Sequence, residues 1–279
     1  DGTVVFQDRA GGLYRLGLRD GKLIWRSGKR GRPWSETFTT GAAVCHEGRV
    51  LVVSNTGADP SRPSVGILHT YDVKDGRLLW EQDLAYAANQ AATVGPHPTE
   101  KGRSIAVVGM GANPGVPLAA DRKRRGIGWL PAPVAHLIDL YLSWLFVKTR
   151  AAMAAYDVDT GKQLWHYELP PYRRFATEGD SERLIQRLIE TGNGVNPFND
   201  IICLPDSCSQ PVIGPDGTAY QGWQSGKLYA VKDADGNGKI EDGEVSSFDL
   251  REGFQGSIGL APGLLAAAPC GGGLYVWRS

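Results

Sequence analysis

The sequence has no excess of charge: 30 lysines and arginines stand against 30 aspartates and glutamates, a formal net charge of zero. A chain whose main partner is nucleic acid needs a basic stripe for the phosphates, so that class is set aside. Cysteine is scarce. The four, Cys45, Cys203, Cys208 and Cys270, include no Cys-x-x-Cys pair, which argues against a zinc site, and no two are adjacent. No apolar run reaches the roughly 20 residues of a bilayer-spanning helix. The segment Val134–Val147 comes nearest, with 14 residues. There is no Gly-x-Ser-x-Gly elbow and no P-loop. The five histidines, His46, His69, His97, His136 and His166, show no ligand spacing and read as surface or packed residues.

What the chain does have is glycine, 37 residues, and proline, 17, a composition that fits many short strands and turns better than helices. One pattern recurs. Ala155-Tyr-Asp-Val-Asp-Thr-Gly-Lys-Gln-Leu-Trp165 enters as a strand, turns at Asp159–Gly161 and leaves as a second strand ending in tryptophan. Leu13–Trp25 and Thr70–Trp80 repeat the design, and each glycine (Gly21, Gly76, Gly161) stands four residues before its tryptophan. A tight hairpin needs a residue that tolerates positive φ, and the aspartates nearby can hydrogen-bond their own backbone. Leu228–Val231 and Leu274–Trp277 are fainter copies. A strand entered from a turn precedes each hairpin, beginning near Asp1, Glu47, Gly102, Asp216 and Pro262. A further short strand precedes four of them, at Gly41–Val44, Ala91–Val94, Gln210–Ile213 and Gly256–Gly259. The unit is therefore four antiparallel strands, one propeller blade.

Asp216-Gly-Thr-Ala-Tyr-Gln-Gly-Trp-Gln-Ser-Gly-Lys-Leu-Tyr-Ala-Val231, together with Ala155–Trp165, resembles the repeat of the PQQ-like, quinoprotein-type β-propellers almost position by position. The resemblance covers most of the chain outside two insertions. It implies an all-β propeller in a single domain spanning 1–279; the family's propellers usually have six to eight blades, and about five are recognisable here, the first without its opening strand and the last without a clear closing one. It also implies that Trp25, Trp80 and Trp165 pack between neighbouring blades. Fold does not settle function. Many relatives are non-enzymatic binding modules or subunits of larger assemblies, and that is the expectation here. The alternative is a PQQ-dependent dehydrogenase. The family's true quinoproteins are longer and carry adjacent cysteines beneath the cofactor, which this chain lacks.

The insertions fall at about 112–150 and 170–205. The first holds a basic run, Arg122–Arg125, and then Val134–Val147, where Leu137, Leu140, Tyr141, Trp144 and Leu145 form the apolar face of a helix. Three readings stay open: a helix packed on the propeller itself, a partner-docking helix, or a helix lying on a membrane surface with the basic run near lipid phosphates. In the second, Glu182–Glu190 reads as a helix capped by Asp180 or Ser181, with Leu184, Ile185, Leu188 and Ile189 as its apolar stripe. Cys203 and Cys208 flank Leu-Pro-Asp-Ser, a turn-like loop that fits a small disulfide, the alternative being two thiols. Such a bridge accords with a glycine-rich protein held outside the cytoplasm, whether secreted, periplasmic or lumenal. Because the chain opens on Asp1, it is expected to be a processed product or a piece of a longer protein.

One motif carries chemistry. Asp233-Ala-Asp-Gly-Asn-Gly-Lys-Ile-Glu-Asp-Gly-Glu244 has the spacing of a twelve-residue calcium loop of the EF-hand type. Asp233, Asp235 and Asn237 take positions 1, 3 and 5; Gly238 allows the sharp bend; Lys239 offers its carbonyl at position 7. Glu241 at position 9 binds directly or through water, and Glu244 at position 12 offers both oxygens. Hard oxygen ligands at this spacing wrap Ca2+. Strands, not helices, flank the loop, which favours a structural ion over a sensor. The bland alternative is an acidic, solvated turn.

Overall fold

A computed structural model describes residues 2–28, 41–55, 66–111, 129–131, 134, 137–138, 150–173, 178, 208–254, 256, 258–270 and 273–278. The described chain is almost entirely strand and turn and forms five antiparallel sheets in sequence order. The first is three-stranded: β1 (Thr3–Gln7), β2 (Leu13–Gly17) and β3 (Leu23–Ser27). The second has four strands: β4 (Val44–His46), β5 (Arg49–Asn55), β6 (Gly66–Asp72) and β7 (Leu78–Asp83). The third has β8 (Thr93–Pro96), β9 (Ser104–Gly111), β10 (Ala151–Asp157) and β11 (Gln163–Glu168), and the fourth β12 (Val212–Ile213), β13 (Ala219–Gly222), β14 (Lys227–Val231) and β15 (Val245–Asp249). The fifth returns to three strands: β16 (Gly259–Ala261), β17 (Leu264–Ala267) and β18 (Tyr275–Arg278). These are propeller blades, with the partial first and last blades that the repeat implies. The opening strands start two or three residues later than their sequence pattern suggests, because pairing with the next strand, not β-propensity, sets their ends.

The hairpins repeat in detail. Arg15 pairs with Trp25 but Leu16 with Leu23; Thr70 pairs with Trp80 but Tyr71 with Leu78; Ala155 pairs with Trp165 but Tyr156 with Gln163. One residue is thus skipped just before each tryptophan, a bulge that twists the outer strand. Each turn is closed by the same bond. The N–H of Gly17, Asp72 and Asp157 donates to the carbonyls of Lys22, Arg77 and Lys162 at 2.9, 2.8 and 2.9 Å.

Tryptophan joins one blade to the next. The Trp25 ring lies on Gly76 of the following blade, and its indole N–H donates to the Val73 carbonyl at 2.9 Å. Trp80 lies on Gly161 and donates to the Val158 carbonyl at 3.1 Å. Trp165 is buried in a cluster with Val107, Met153, Tyr229 and Val231, which fills the space between the third and fourth blades. Phe254 and Ile258 fill the next seam, with Leu228 on one side and Ala267 on the other. Among the described residues nothing comparable covers the outward faces of the terminal blades: Phe6 is 41% and Val276 51% exposed, whereas Val53, Leu68 and Val108 in the middle blades are at 0%.

Most of both insertions, including the expected helix at Glu182–Glu190, lies outside the described residues. So do Leu140, Tyr141, Trp144 and Leu145. Of the expected docking face, Leu137 is described; it is helical and exposed, as is Val134 at the start of the same segment. Among the described residues, no helix is long and apolar enough to cross a membrane.

The cysteines correct one expectation. Cys208 stays a thiol: it is buried in the cluster around Trp165 and donates to the Met110 carbonyl at 3.8 Å. It faces the core because an isolated bridge to Trp223 extends the fourth sheet at that point. The expected Cys203–Cys208 disulfide is therefore not formed at Cys208; Cys203 lies outside the described residues. Among the described cysteines, Cys270 is the disulfide-bonded one.

Candidate metal centre

The loop 233–244 joins β14 to β15, where the first three blades have a tight turn. Its closing bond is the one used elsewhere: the Lys232 N–H donates to the Glu244 carbonyl at 3.0 Å. The acidic residues are arranged from within the loop. The Gly238 N–H donates to Asp233 Oδ2 at 3.1 Å, and Gly238 takes φ +80°, which a side chain would resist. The Asn237 N–H and side-chain amide hold the two Asp235 oxygens at 3.0 and 2.8 Å, and the Lys239 N–H holds Asn237 Oδ1 at 2.7 Å. The chain re-enters β15 through a short 3-10 turn, Asp242–Glu244, which brings Glu244 Oε2 within 3.1 Å of the Glu241 N–H.

The result is a convergence of carboxylates. Asp233, Asp235 and Glu244 each place an oxygen within 4.8 Å of the others. Asp233 is only 4% exposed, and its Oδ1 has no hydrogen-bond partner. A buried anionic oxygen without a donor is costly unless a cation takes the donor's place. The donor set is all hard oxygen, which suits Ca2+ or Mg2+ rather than zinc or copper. Of the four carboxylates read as ligands from the sequence, the structure brings three together, those at positions 1, 3 and 12. Asn237 and Lys239 lie in the same loop, between Asp235 and Glu244. Glu241, exposed at the start of the 3-10 turn, stands outside the carboxylate cluster.

Elsewhere the turns carry their own electrostatics. At Asp157, burial alone would raise the carboxyl pKa. Hydrogen bonds from Thr160 and an ion pair with Arg103 at 2.7 Å outweigh it and hold the group below its ordinary value. Beside the acidic loop, burial raises the Tyr167 hydroxyl, and the Asp242 charge adds to that. One constellation is invisible in the sequence. Ser54 Oγ lies 2.8 Å from His69 Nε2, and His69 Nδ1 lies 3.6 Å from a Glu81 oxygen. Pairing of β5, β6 and β7 brings these distant residues together. Ser54 is 2% exposed, so no substrate reaches its hydroxyl, and the group reads as a polar tie inside the second blade.

Over residues 9–253 the sequence matches the protein family described as the outer membrane protein assembly factor BamB. No curated protein matches it. Among solved structures, a europium-containing methanol dehydrogenase is similar at TM-score 0.53 and 12% identity, over 99% of this chain and 47% of the other. The quinohemoprotein alcohol dehydrogenase ADHIIG of Pseudomonas putida HK5 gives 0.49 and 17%, over 99% of this chain and 39% of its own. BamB from Moraxella catarrhalis gives 0.42 and 12%, over 100% and 70%. The chain thus spans less than half the length of either dehydrogenase. At these identities the likeness concerns the fold alone.

Proposed function

Because the chain belongs to the family of the outer membrane protein assembly factor BamB, we propose that it is a non-enzymatic propeller that binds protein partners within a larger assembly, with a structural Ca2+ in its fourth blade. The family match over residues 9–253 carries the first part. The fold supports it: large apolar residues stand exposed on the end blades and, as Trp129, Val134 and Leu137, on the first insertion. That insertion, with Leu140, Tyr141, Trp144 and Leu145, is the docking segment for a partner. Deleting 112–150 should release the protein from its complex while the propeller stays folded. Unfolding on deletion would make the segment core instead. The chain acts outside the cytoplasm, in keeping with its disulfide-bonded Cys270.

The orphan Oδ1 of buried Asp233 carries the second part. Asp233, Asp235 and Glu244 hold the ion through carboxylate oxygens, with Asn237, the Lys239 carbonyl and Glu241 completing the shell. Such an ion would neutralise the loop and fix its shape. The test of the whole reading has two arms. Reconstitution with pyrroloquinoline quinone, Ca2+ and a dye acceptor should give no alcohol oxidation; turnover above background overturns the scaffold reading. Calorimetric titration with CaCl2 should show one site, lost in Asp233→Ala; no heat in the unaltered protein leaves a solvated acidic turn.

A further inference from the structure

We propose that the 233–244 loop is the clasp of the seam between the third and fourth blades, so that cation binding decides how tightly that seam is shut. The proposal rests on the calcium reading above.

The other seams set the pattern. The tryptophan of the first blade is received by the turn of the second, and that of the second by the turn of the third. In each case a turn glycine lies under the ring, and the carbonyl three residues before that glycine takes the indole N–H (Val73 before Gly76, Val158 before Gly161). The third blade's tryptophan is Trp165, 2% exposed, and the turn that follows it in the ring is the acidic loop. Counting from the shared Leu-Tyr pair, Leu13-Tyr14 and Leu228-Tyr229, Asp233 falls where Leu18 stands in the first blade. That is also the position of Val73 and Val158. By this count the first residue of the loop stands at the receiving position of the repeat, although among the described contacts the Trp165 indole makes no bond to it and no glycine lies under the ring. Glu244 supplies both the carbonyl that closes the turn and a carboxylate of the cluster.

The loop touches the third blade at several points. Ile240 of the loop packs against the cluster shared by the third and fourth blades, which contains Trp165. Gly238 lies so near the Leu164 carbonyl that an added Cβ would come within 2.9 Å of it. Gly236 faces Thr99, in the turn between β8 and β9, with 3.0 Å from an added Cβ to its hydroxyl. A five-residue turn such as Asp157–Gly161 is held by its own hydrogen bonds, Thr160 to Asp157 among them, and needs no ion. A twelve-residue acidic loop that buries an unpaired carboxylate oxygen is in a different position: its closed shape gathers like charges that only a cation balances. Ordering the loop and closing it against Leu164 and Thr99 of the third blade are then one event.

The test is hydrogen exchange on the unaltered protein in CaCl2 and in EGTA, read by mass spectrometry, beside calorimetric titration with CaCl2. At 100 times the dissociation constant, an ion that binds only the closed loop lowers the open population about 100-fold. Exchange in peptides from β11 and from the β8–β9 turn should therefore slow at least tenfold, while peptides at the Trp25–Gly76 seam do not change. Glu244→Ala should abolish the difference at the calcium-free level, with the Trp25–Gly76 peptides reporting that the variant is folded. A heat of binding with protection confined to 233–244 overturns the clasp and leaves the calcium site standing. No heat of binding overturns both.

Discussion

Gly161→Ala tests the blade-to-blade logic with a single methyl group. Two penalties are built into the site. Gly161 has φ +74°, a left-handed conformation that costs an L-residue about 1 kcal/mol or more. The new Cβ would also lie 2.6 Å from Cε3 and 2.7 Å from Cδ2 of the Trp80 ring, closer than any real contact, so the indole must move. Forced overpacking of this kind costs roughly 1–3 kcal/mol, and losing the Trp80 bond to the Val158 carbonyl adds about 1 kcal/mol. The chain supplies its own control. Gly21 holds the same place in the first blade with φ +65°, but no described atom lies within 4 Å of its added Cβ. Gly21→Ala should therefore show the backbone penalty alone. An excess of about 2 kcal/mol in Gly161→Ala corresponds to a melting temperature lower than that of Gly21→Ala by roughly 4–8 °C. Calorimetric melts of the two variants side by side give the answer, and a double-mutant cycle sharpens it. In a Trp80→Ala background, Gly161→Ala should cost no more than Gly21→Ala costs in the unaltered protein. Equal melting of the two single variants would refute the claim that tryptophan on glycine is what joins the blades.

Three further outcomes are expected. Chelation should lower the melting temperature, and the shift should vanish in Asp233→Ala and Glu244→Ala; identical melts of the unaltered protein in calcium and chelator would contradict this. In the native protein a thiol reagent should alkylate exposed Cys45, slowly because burial raises its thiol pKa, and reach buried Cys208 only on unfolding; fast native labelling of Cys208 would count against its place in the core. The lowered pKa of Asp157 means that its carboxylate stabilises the fold above the ordinary aspartate value, about pH 4, and that this contribution is lost as pH falls through the lowered value. Asp157→Asn should flatten the acid limb of a stability–pH curve measured by urea unfolding, and an unchanged limb would show that the pair with Arg103 does not matter.

The blades were legible in the sequence because their causes are local. A glycine with positive φ, a neighbouring aspartate and alternating β-formers are enough to specify a hairpin, and three near-identical hairpins specify a repeat. The acidic cluster was legible for the same reason: Asp233, Asp235 and Glu244 lie within 12 consecutive residues, so their spacing alone gathers them. What lay beyond the sequence is what one blade does to the next. Nothing near Trp25 says that its indole will rest on Gly76, 51 positions away, or that the carbonyl of Val73 will be left for it. The Ser54–His69–Glu81 tie depends on the register of three strands, and a shift of one residue would turn each side chain to the opposite face. Cys208 looked like half of a small local bridge, yet the sheet edge at Trp223 turned its thiol into the core. Hydrogen bonds within a turn are paid for by the turn itself and can be read from a dozen residues. Packing between sheets depends on surfaces that exist only once both sheets have formed, so the seams, the exposed end faces and the place of the acidic loop beside Trp165 were decided by the tertiary structure.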